Sequence, residues 1–444
     1  MLAKTHIFAA IGLALIATAA QARNFGAPVQ LSVNNHAGMT GVAIDDAGNA
    51  LAAWADSGFY YSDHPAGGSW SAPQSLYIGG AFPVLHMTGD GSATIVSYSS
   101  LYGIWSVDRP AGGAWTSPFL IVDAPDIVSS NLNNVSPVQF LENAKGDQAI
   151  VFQQYLGGNT VITAVHRPAG GGWSSEDNVA SSADYGHIAF SSSAIGGNGD
   201  LIVSFETFDV VCNKYCHDIN YVVHAAREAA GTTTWKDSGA LTPESSAYNT
   251  KAVVDSNGHA GVLIQNGFAA EIDVATQAKA GAKWKPLVPA FDPTGLNGAQ
   301  IWLAEAGNKG FANLAFVTFS DSGANATVLD GNVAKDSWGT LNFLSLGDSP
   351  GANDNMVFDA NLAGGAVAEW TDVDGTVRAA LRKKGGVAWG TAQTIIGGSQ
   401  CNIGGLVCTG AVASAVNAKG QAVIGFIRLD PDDTISNFFV SATP

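Results

Sequence analysis

The sequence predicts an all-β fold assembled from copies of one unit, because two short patterns recur along its 444 residues. The first is a Pro-Ala-Gly-Gly turn followed closely by a Trp, which occurs at 65–70, 110–115 and 168–173. The second is a Gly-containing turn followed six residues later by a large apolar residue. The composition agrees, since 53 Gly and 13% charged residues are typical of short strands joined by tight turns.

The first complete unit, residues 42–76, predicts four strands. An apolar run at 42–44 leads through a turn at 45–49 to a second apolar run at 50–54. A third strand is expected around 58–61, and the fourth follows Trp70 after the Pro-Ala-Gly-Gly turn. Short strands separated by tight turns in this way form an antiparallel meander.

The unit recurs to the end of the chain, and its two marker positions can be followed through every copy. The large apolar residue after the first turn is Trp54, Tyr98 (one place late), Phe152, Phe205, Ile264, Phe316, Trp370 and Phe426. The late Trp is Trp70, Trp115, Trp173, Trp235, Trp284, Trp338 and Trp389. We interpret both sets as packing residues; a ladder of Trp rings that stack on sugars is the weaker alternative.

These markers give eight unit starts but only seven late Trp strands, and the missing strand is found at the other end of the chain. Residues 25–31 match residues 70–76 of the first unit. The N-terminal strand would therefore complete the last unit and close a ring. A ring of four-stranded antiparallel sheets is a β-propeller, which protects sheet edges. We predict eight blades, with seven as the alternative if one diverged unit is misassigned.

The turn Arg-Pro-Ala-Gly-Gly-x-Trp, preceded by an Asp-x-x-Gly-Asn-Ala turn, resembles secreted bacterial β-propeller repeat proteins of the sialidase-like kind. The resemblance covers nearly all of the mature chain and implies the propeller fold. It implies no single activity, since such folds host binding proteins, hydrolases and lyases. The strict sialidase Asp-box is absent, because Asp255-Ser256-Asn257-Gly258 lacks the Trp that should follow.

The N-terminus has the features of a signal peptide. Lys4 precedes an apolar run at 7–20, and Ala20-Gln21-Ala22 is a typical cleavage site. We expect residues 1–22 to be removed and residues 23–444 to form one propeller domain that is secreted or periplasmic, with no later membrane span. An uncleaved membrane anchor is the alternative, although the run is short for one.

The charge excludes some classes of partner. The formal net charge is −17 and becomes −18 when Lys4 is removed. Nucleic acids and anionic membrane surfaces require clusters of Lys and Arg, so neither is an expected partner.

Four cysteines form two close pairs. Cys212 pairs with Cys216 and Cys401 with Cys408, and in an exported protein each pair is expected to close a local disulfide loop. The alternative for the first pair is a metal site formed with His217.

Candidate site residues concentrate on loops that a propeller would place on its ligand face. The longest insertion, 206–220, carries several of them, and the connectors at 123–137, 289–300 and 347–355 are also expected there. Tyr and His can act as base and acid in β-elimination of uronic-acid sugars. The weak catalytic candidates are Tyr185, His187 and Glu206, and the candidate ligand contacts are His36, Asp184, Tyr215, His217 and Arg428.

Clustered carboxylates in the last two units are candidate ligands for Ca²⁺, the one cofactor that the sequence suggests. They are Asp372, Asp374, Asp430 and Asp432. Two suitably separated carboxylates could also hydrolyse a glycosidic bond, and acidic turns are the structural alternative.

Together these patterns predict an exported, monomeric propeller that binds an extracellular or envelope glycan. A carbohydrate-active enzyme, either a lyase or a glycoside hydrolase, is the first alternative. A protein-interaction scaffold of the cell envelope is the second.

Overall fold

The computed structural model describes most of the chain. The described residues are 24–32, 38–78, 81–99, 103–123, 126–127, 138–212, 216–245, 248–267, 271–291, 298–306, 311–320, 323–344, 356–361, 364–372, 374–383, 388–398, 409–429 and 436–444. The predicted signal peptide and six predicted site residues lie outside these ranges: His36, Tyr215, Cys401, Cys408, Asp430 and Asp432.

The described residues form eight four-stranded antiparallel sheets, which confirms the predicted all-β, eight-bladed propeller. The first strand, β1 (Val29–Gln30), belongs to the last blade. Blades 1 to 4, each from inner to outer strand, are β2–β5 (Gly38–Ile44, Ala50–Ala55, Phe59–His64, Gln74–Leu76), β6–β9 (Ala81–Met87, Ala93–Ser99, Gly103–Arg109, Phe119–Val122), β10–β13 (Val138–Glu142, Gln148–Leu156, Asn159–Arg167, Asp177–Ser181) and β14–β17 (His187–Ile195, Leu201–Cys212, Cys216–Glu228, Trp235–Asp237).

Blades 5 to 8 repeat this order. They are β18–β21 (Tyr248–Val254, Ala260–Asn266, Ile272–Gln277, Val288–Phe291), β22–β25 (Gly298–Ala306, Phe311–Ser320, Gly323–Asn332, Ser337–Phe343), β26–β29 (Val357–Ala360, Ala366–Thr371, Val377–Arg382, Gln393–Ile396) and β30–β32 (Thr409–Val416, Ala422–Leu429, Ser436–Ala442) completed by β1. A short helix, α1 (Ser182–Tyr185), lies in the connector between blades 3 and 4. Within the described ranges, no helix is long and apolar enough to cross a membrane.

The ring closes as predicted, with the N-terminal strand at the outer edge of blade 8. In β1, Val29 lies opposite Val440 and Gln30 opposite Phe439. The backbone N–H of Leu31 donates to the carbonyl of Phe438 at 2.9 Å. The two ends of the chain therefore share one sheet.

Meander topology gives the propeller two different faces. The turns between first and second strands and between third and fourth strands lie on one face, which we call the turn face. The loops between second and third strands and the connectors between blades lie on the opposite face, the connector face. The Pro-Ala-Gly-Gly turns therefore lie on the turn face.

Apolar residues that mark the repeat pack in the seams between blades. Trp54, Phe152, Phe205, Trp370 and Phe426 are each no more than 1% exposed. Clusters in these seams combine residues of neighbouring blades; for example, the ring of Trp54 in blade 1 lies 5.7 Å from that of Phe438 in blade 8. Burial of this kind is the main stabilising contribution to the ring.

The two copies of the Arg-Pro-Ala-Gly-Gly-x-Trp turn link blades 2 and 3 each to the blade before it. The guanidinium of Arg167 lies 4.8 Å from the centre of the Trp173 ring and donates to the Asp108 carboxylate of blade 2 at 2.7 Å. In the previous copy, Arg109 lies over Trp115 in the same way and pairs with Asp63 of blade 1. The motif that marks the repeat thus also supplies the Arg of an ion pair between neighbouring blades.

Candidate functional site

A cleft with a volume of about 580 Å³ opens between the outer strands of blades 5 and 6. Both blades contribute apolar walls, and blade 5 contributes the one acidic side chain of the lining, Glu271. The lining residues are Glu271, Pro289, Ala290, Phe291, Leu329, Trp338, Gly339 and Leu341. The blade 5 residues are Glu271, immediately before β20, and residues of β21, and those of blade 6 come from β24 and β25. We call this feature the blade 5–6 cleft.

Local backbone geometry positions the main aromatic ring of the cleft. Trp338 lies directly opposite Gly331 at a register shift between β24 and β25. A Cβ atom at Gly331 would overlap the indole ring, so only Gly allows Trp338 to lie flat against this strand. The ring is half-buried on the core of the seam, and Gly339 beside it is exposed.

The remaining walls extend this surface toward the connector face. Phe291 ends β21 and packs partly buried against the same core. Leu341 lies on β25, and Phe343, two residues further along, is 42% exposed. The exposed carboxylate of Glu271 is the charged group of the lining. Aromatic faces with one polar group at the edge are typical of clefts that bind small ligands.

The structure places Tyr185 in a second polar cluster, in the seam between blades 3 and 4. Its hydroxyl donates to Asp237 at 3.1 Å, and its ring centre lies 5.3 Å from that of His224. His224 Nδ1 lies 3.3 Å from the same Asp237. Burial, together with the negative charge of Asp237, raises the pKa of Tyr185 to about 12. At neutral pH this phenol is a hydrogen-bond donor and not a base.

The other members of the predicted Tyr/His group are not brought to this cluster. His187 is exposed and stacks on Phe208 at 5.6 Å, while Asp184 is exposed on α1. The predicted 206–220 loop is mostly an extension of β15 and β16, in which Cys212 lies opposite Cys216. His217 is exposed on this hairpin. The backbone register places the two cysteines opposite each other, and their disulfide stays a prediction.

Glu206 lies inside the molecule. It is 0% exposed, accepts from Ser191 Oγ at 3.0 Å and from the backbone N–H of Tyr248 in blade 5, and burial raises its pKa to about 8. Gln153 occupies the equivalent place in blade 3 and accepts from the backbone of Phe190 in blade 4 at 2.7 Å. This position favours a hydrogen bond between blades over contact with a ligand.

Of the predicted calcium ligands, Asp372 and Asp374 are described. Asp372 is buried and accepts hydrogen bonds from Arg378 and from the indole N–H of Trp370. Asp374 is exposed and accepts from the backbone N–H of Thr376 at 2.8 Å. A calcium ion at Asp372 would have to displace Arg378. The predicted ligand contact Arg428 lies half-buried near the connector-face end of β31.

The sequence did not predict the blade 5–6 cleft. It predicts the 289–300 connector as a loop of the ligand face, whereas Phe291 is the last residue of strand β21. The repeat identifies Trp338 as a packing residue, whereas no sequence motif points to Glu271. Glu271 and Trp338 are far apart in sequence, and only the packing of two blades brings them to one cleft.

The sequence matches no protein-family model and no curated protein sequence. Solved structures that resemble the chain include the β-propeller domain of the Trilobed protease from Pyrococcus furiosus, with 9% identity and a TM-score of 0.47 over 81% of this chain and 98% of that one. An ulvan lyase has 12% identity and a TM-score of 0.43, over 78% of this chain and 91% of that one. A Hadza microbial sialidase has 12% identity and a TM-score of 0.40, over 78% of this chain and 74% of that one.

Similarity at this level says nothing about activity, which has to be inferred from the chain's own residues. The predicted membership of a particular repeat family is not confirmed. The described structure defines an eight-bladed propeller with an aromatic cleft between two of its blades.

Proposed function

We propose that this protein is a glycan-binding propeller whose binding site is the blade 5–6 cleft. The observation that carries the proposal is the pairing of a flat, half-buried Trp338 with Phe291 around a cleft of about 580 Å³. Aromatic faces of this kind pack against the C–H face of a pyranose ring. Glu271 can accept hydrogen bonds from sugar hydroxyls at the edge of the cleft.

The charge of the site indicates a class of glycan. The charged group of the described lining is the carboxylate of Glu271, and the whole chain has a net charge of −17. An anionic sugar would be repelled here, because like charges without a counterion disfavour binding. The proposed ligand is therefore a neutral or amino-substituted glycan and not a uronate or sulfated chain.

The test is calorimetric titration of the purified chain of residues 23–444 with neutral, amino-substituted and uronic-acid oligosaccharides. We expect binding of the first two classes only. Phe291→Ala should weaken it roughly tenfold, since lost aromatic packing costs about 1 kcal/mol or more. Glu271→Gln, at an exposed side chain, should weaken binding of an amino sugar without altering the fold.

Trp115 provides the matched control, because it is the equivalent late Trp in blade 2. Trp338→Phe should reduce the affinity, whereas Trp115→Phe should leave it unchanged. Equal effects of the two substitutions, or preferential binding of uronic-acid chains, would contradict the proposal.

One observation favours an enzymatic alternative, namely the contact of Tyr185 with Asp237 and His224. If His224 is the base and the Tyr185 hydroxyl is the acid of a β-elimination there, the protein should release unsaturated products from uronic-acid polysaccharides, and Tyr185→Phe should abolish the release. Such products would replace the binding-protein proposal with a lyase.

A further inference from the structure

The seam between blades 3 and 4 breaks the ion-pair pattern of the seams before it. Asp63 of blade 1 pairs with Arg109 of blade 2, and Asp108 of blade 2 pairs with Arg167 of blade 3. Strand register identifies the next pair of equivalent positions: Arg109 lies opposite the first residue of β7, Arg167 opposite that of β11 and Glu228 opposite that of β15.

At this third seam, the Asp is replaced by His166 and the Arg by Glu228. A second carboxylate joins them, because Asp177 lies four residues after the late Trp of blade 3. The equivalent positions in blades 1 and 2 are Gln74 and Phe119. One imidazole and two carboxylates thus stand where the preceding seams have an Asp–Arg ion pair.

These three side chains converge on one point. His166 Nδ1 lies 3.8 Å from Glu228 Oε2 and 4.0 Å from Asp177 Oδ2, and all three ligand atoms lie within 4.8 Å of one another. These separations are too long for hydrogen bonds. Four ligands arranged tetrahedrally about 2.1 Å from a metal lie roughly 3.4 Å apart, so side-chain shifts of about one ångström or less would close the three around an ion.

The polar atoms at this point lack partners. Glu228 is 4% exposed, and its Oε1 has no hydrogen-bond partner within the described structure; the same holds for His166 Nδ1. A buried polar atom of this kind lowers the stability of the folded chain unless something binds it. No Lys or Arg of the described ranges forms an ion pair with any of the three side chains. Burial and the charge of Asp177 raise the pKa of Glu228 to about 7, as expected for a buried carboxylate without a cation.

We propose that His166, Asp177 and Glu228 bind a divalent transition-metal ion of the Zn²⁺ type, which bridges blades 3 and 4 in place of the Asp–Arg pair. One imidazole and two carboxylates favour such an ion over Ca²⁺, whose ligands are oxygens. Three protein ligands leave at least one position for water, since His166 and Asp177 are partly exposed. The ion would neutralise the two carboxylates and link β12 and β13 to β16.

The experiment is a titration of the chelator-treated exported chain with ZnCl₂, followed by calorimetry and thermal unfolding. We expect one Zn²⁺ per chain with a Kd in the micromolar range or tighter, and a higher unfolding temperature when the ion is bound. Co²⁺ in place of Zn²⁺ should give d–d absorption bands. Glu228→Gln and His166→Asn should each weaken binding at least tenfold and remove the Zn²⁺-dependent rise in unfolding temperature.

Two control variants separate this site from others. His259 matches His166 in exposure (30% against 29%) and lies beside one carboxylate, Asp255, so His259→Asn should leave Zn²⁺ binding unchanged. His217→Ala tests the alternative site at Cys212 and Cys216 and should also have no effect.

A double variant keeps the test informative if the single variants fold poorly. His166→Asp combined with Glu228→Arg rebuilds the ion pair of the preceding seams. It should fold stably and show no Zn²⁺-dependent rise in unfolding temperature. The proposal is overturned if the unaltered chain takes up no Zn²⁺ below about 100 µM, if His217→Ala abolishes uptake, or if the double variant still binds the ion.

Discussion

At the scale of single residues, a buried glutamate makes stability depend on pH. The pKa of Glu206 is raised to about 8 from 4.5, so the folded chain retains a proton that the unfolded chain loses between these values. Its contribution to stability is therefore fully present below pH 4.5 and is lost as the pH rises toward 8. The slope can reach about 1.4 kcal/mol per pH unit.

Glu206→Gln should remove this dependence, because Gln needs no proton to stay neutral. Gln153 makes the equivalent hydrogen bond in blade 3, and Gln265 stands at the equivalent place in blade 5, so the fold accommodates Gln here. We expect the variant to be more stable than the unaltered chain at pH 8 and nearly equal to it at pH 5. Urea unfolding at the two pH values measures the difference. An unchanged pH profile would show that Glu206 is ionised in the folded state.

At the scale of elements, the repeated turn should act as a unit. Arg167 makes two hydrogen bonds of 2.7 Å to Asp108 and covers the Trp173 ring. Burial opposes ionisation of Asp108, but hydrogen bonds from Arg167 and Thr94 hold its pKa below the usual value. Because Asp108 is about one third exposed, water screens the Arg167–Asp108 ion pair, and the pair stabilises the fold by about 1–2 kcal/mol.

Arg167→Ala should therefore lower the free energy of unfolding by about that amount at pH 7. The loss should shrink as the pH falls below the ordinary Asp pKa of 3.8, where the unfolded chain takes up the proton, and should disappear below the lowered pKa of Asp108 in the folded chain. A double-mutant cycle with Asp108→Ala isolates the pair, and urea unfolding measures each member. Strictly additive losses would mean that the two side chains do not interact.

The repeat explains why the elements were predictable and the sites were not. Trp54, Phe152 and Trp370 each stand six residues after the Gly of the first turn, because each packs at the equivalent place between two blades. This periodicity predicted both the blades and the closure of the ring. The candidate sites arise where blades differ. His166 and Glu228 carry no motif by themselves, and they become informative only when their positions are compared with the Asp–Arg pairs of other seams. Trp338 belongs to the repeat, and only the approach of blade 5 turns it into a cleft wall.

At the scale of the whole molecule, the ring depends on a strand contributed by the other end of the chain. Hydrogen bonds beyond the short β1 ladder also join the two ends of the chain. The Gly26 N–H donates to the carbonyl of Ala442 at 2.9 Å, and Ser441 Oγ donates to the carbonyl of Gly26 at 2.7 Å. The Phe438 N–H donates to Ser32 Oγ at 2.9 Å. Leu31 is 3% exposed and packs into the cluster that joins blades 1 and 8. Removing this segment would uncover the edge of β32, and unpaired strand edges promote association.

A chain that begins after Ser32 should therefore unfold at a clearly lower temperature and associate as its concentration rises. Leu31→Ala separates packing from hydrogen bonding and should cost about 2–5 kcal/mol without uncovering the edge. Val29→Ala is the matched control, because that side chain is 42% exposed and its loss should change little. Thermal unfolding and sedimentation velocity measure the two effects. If the shortened chain stays monomeric with an unchanged unfolding temperature, the ring is held by its blade seams alone, and β1 only covers an edge that is already stable.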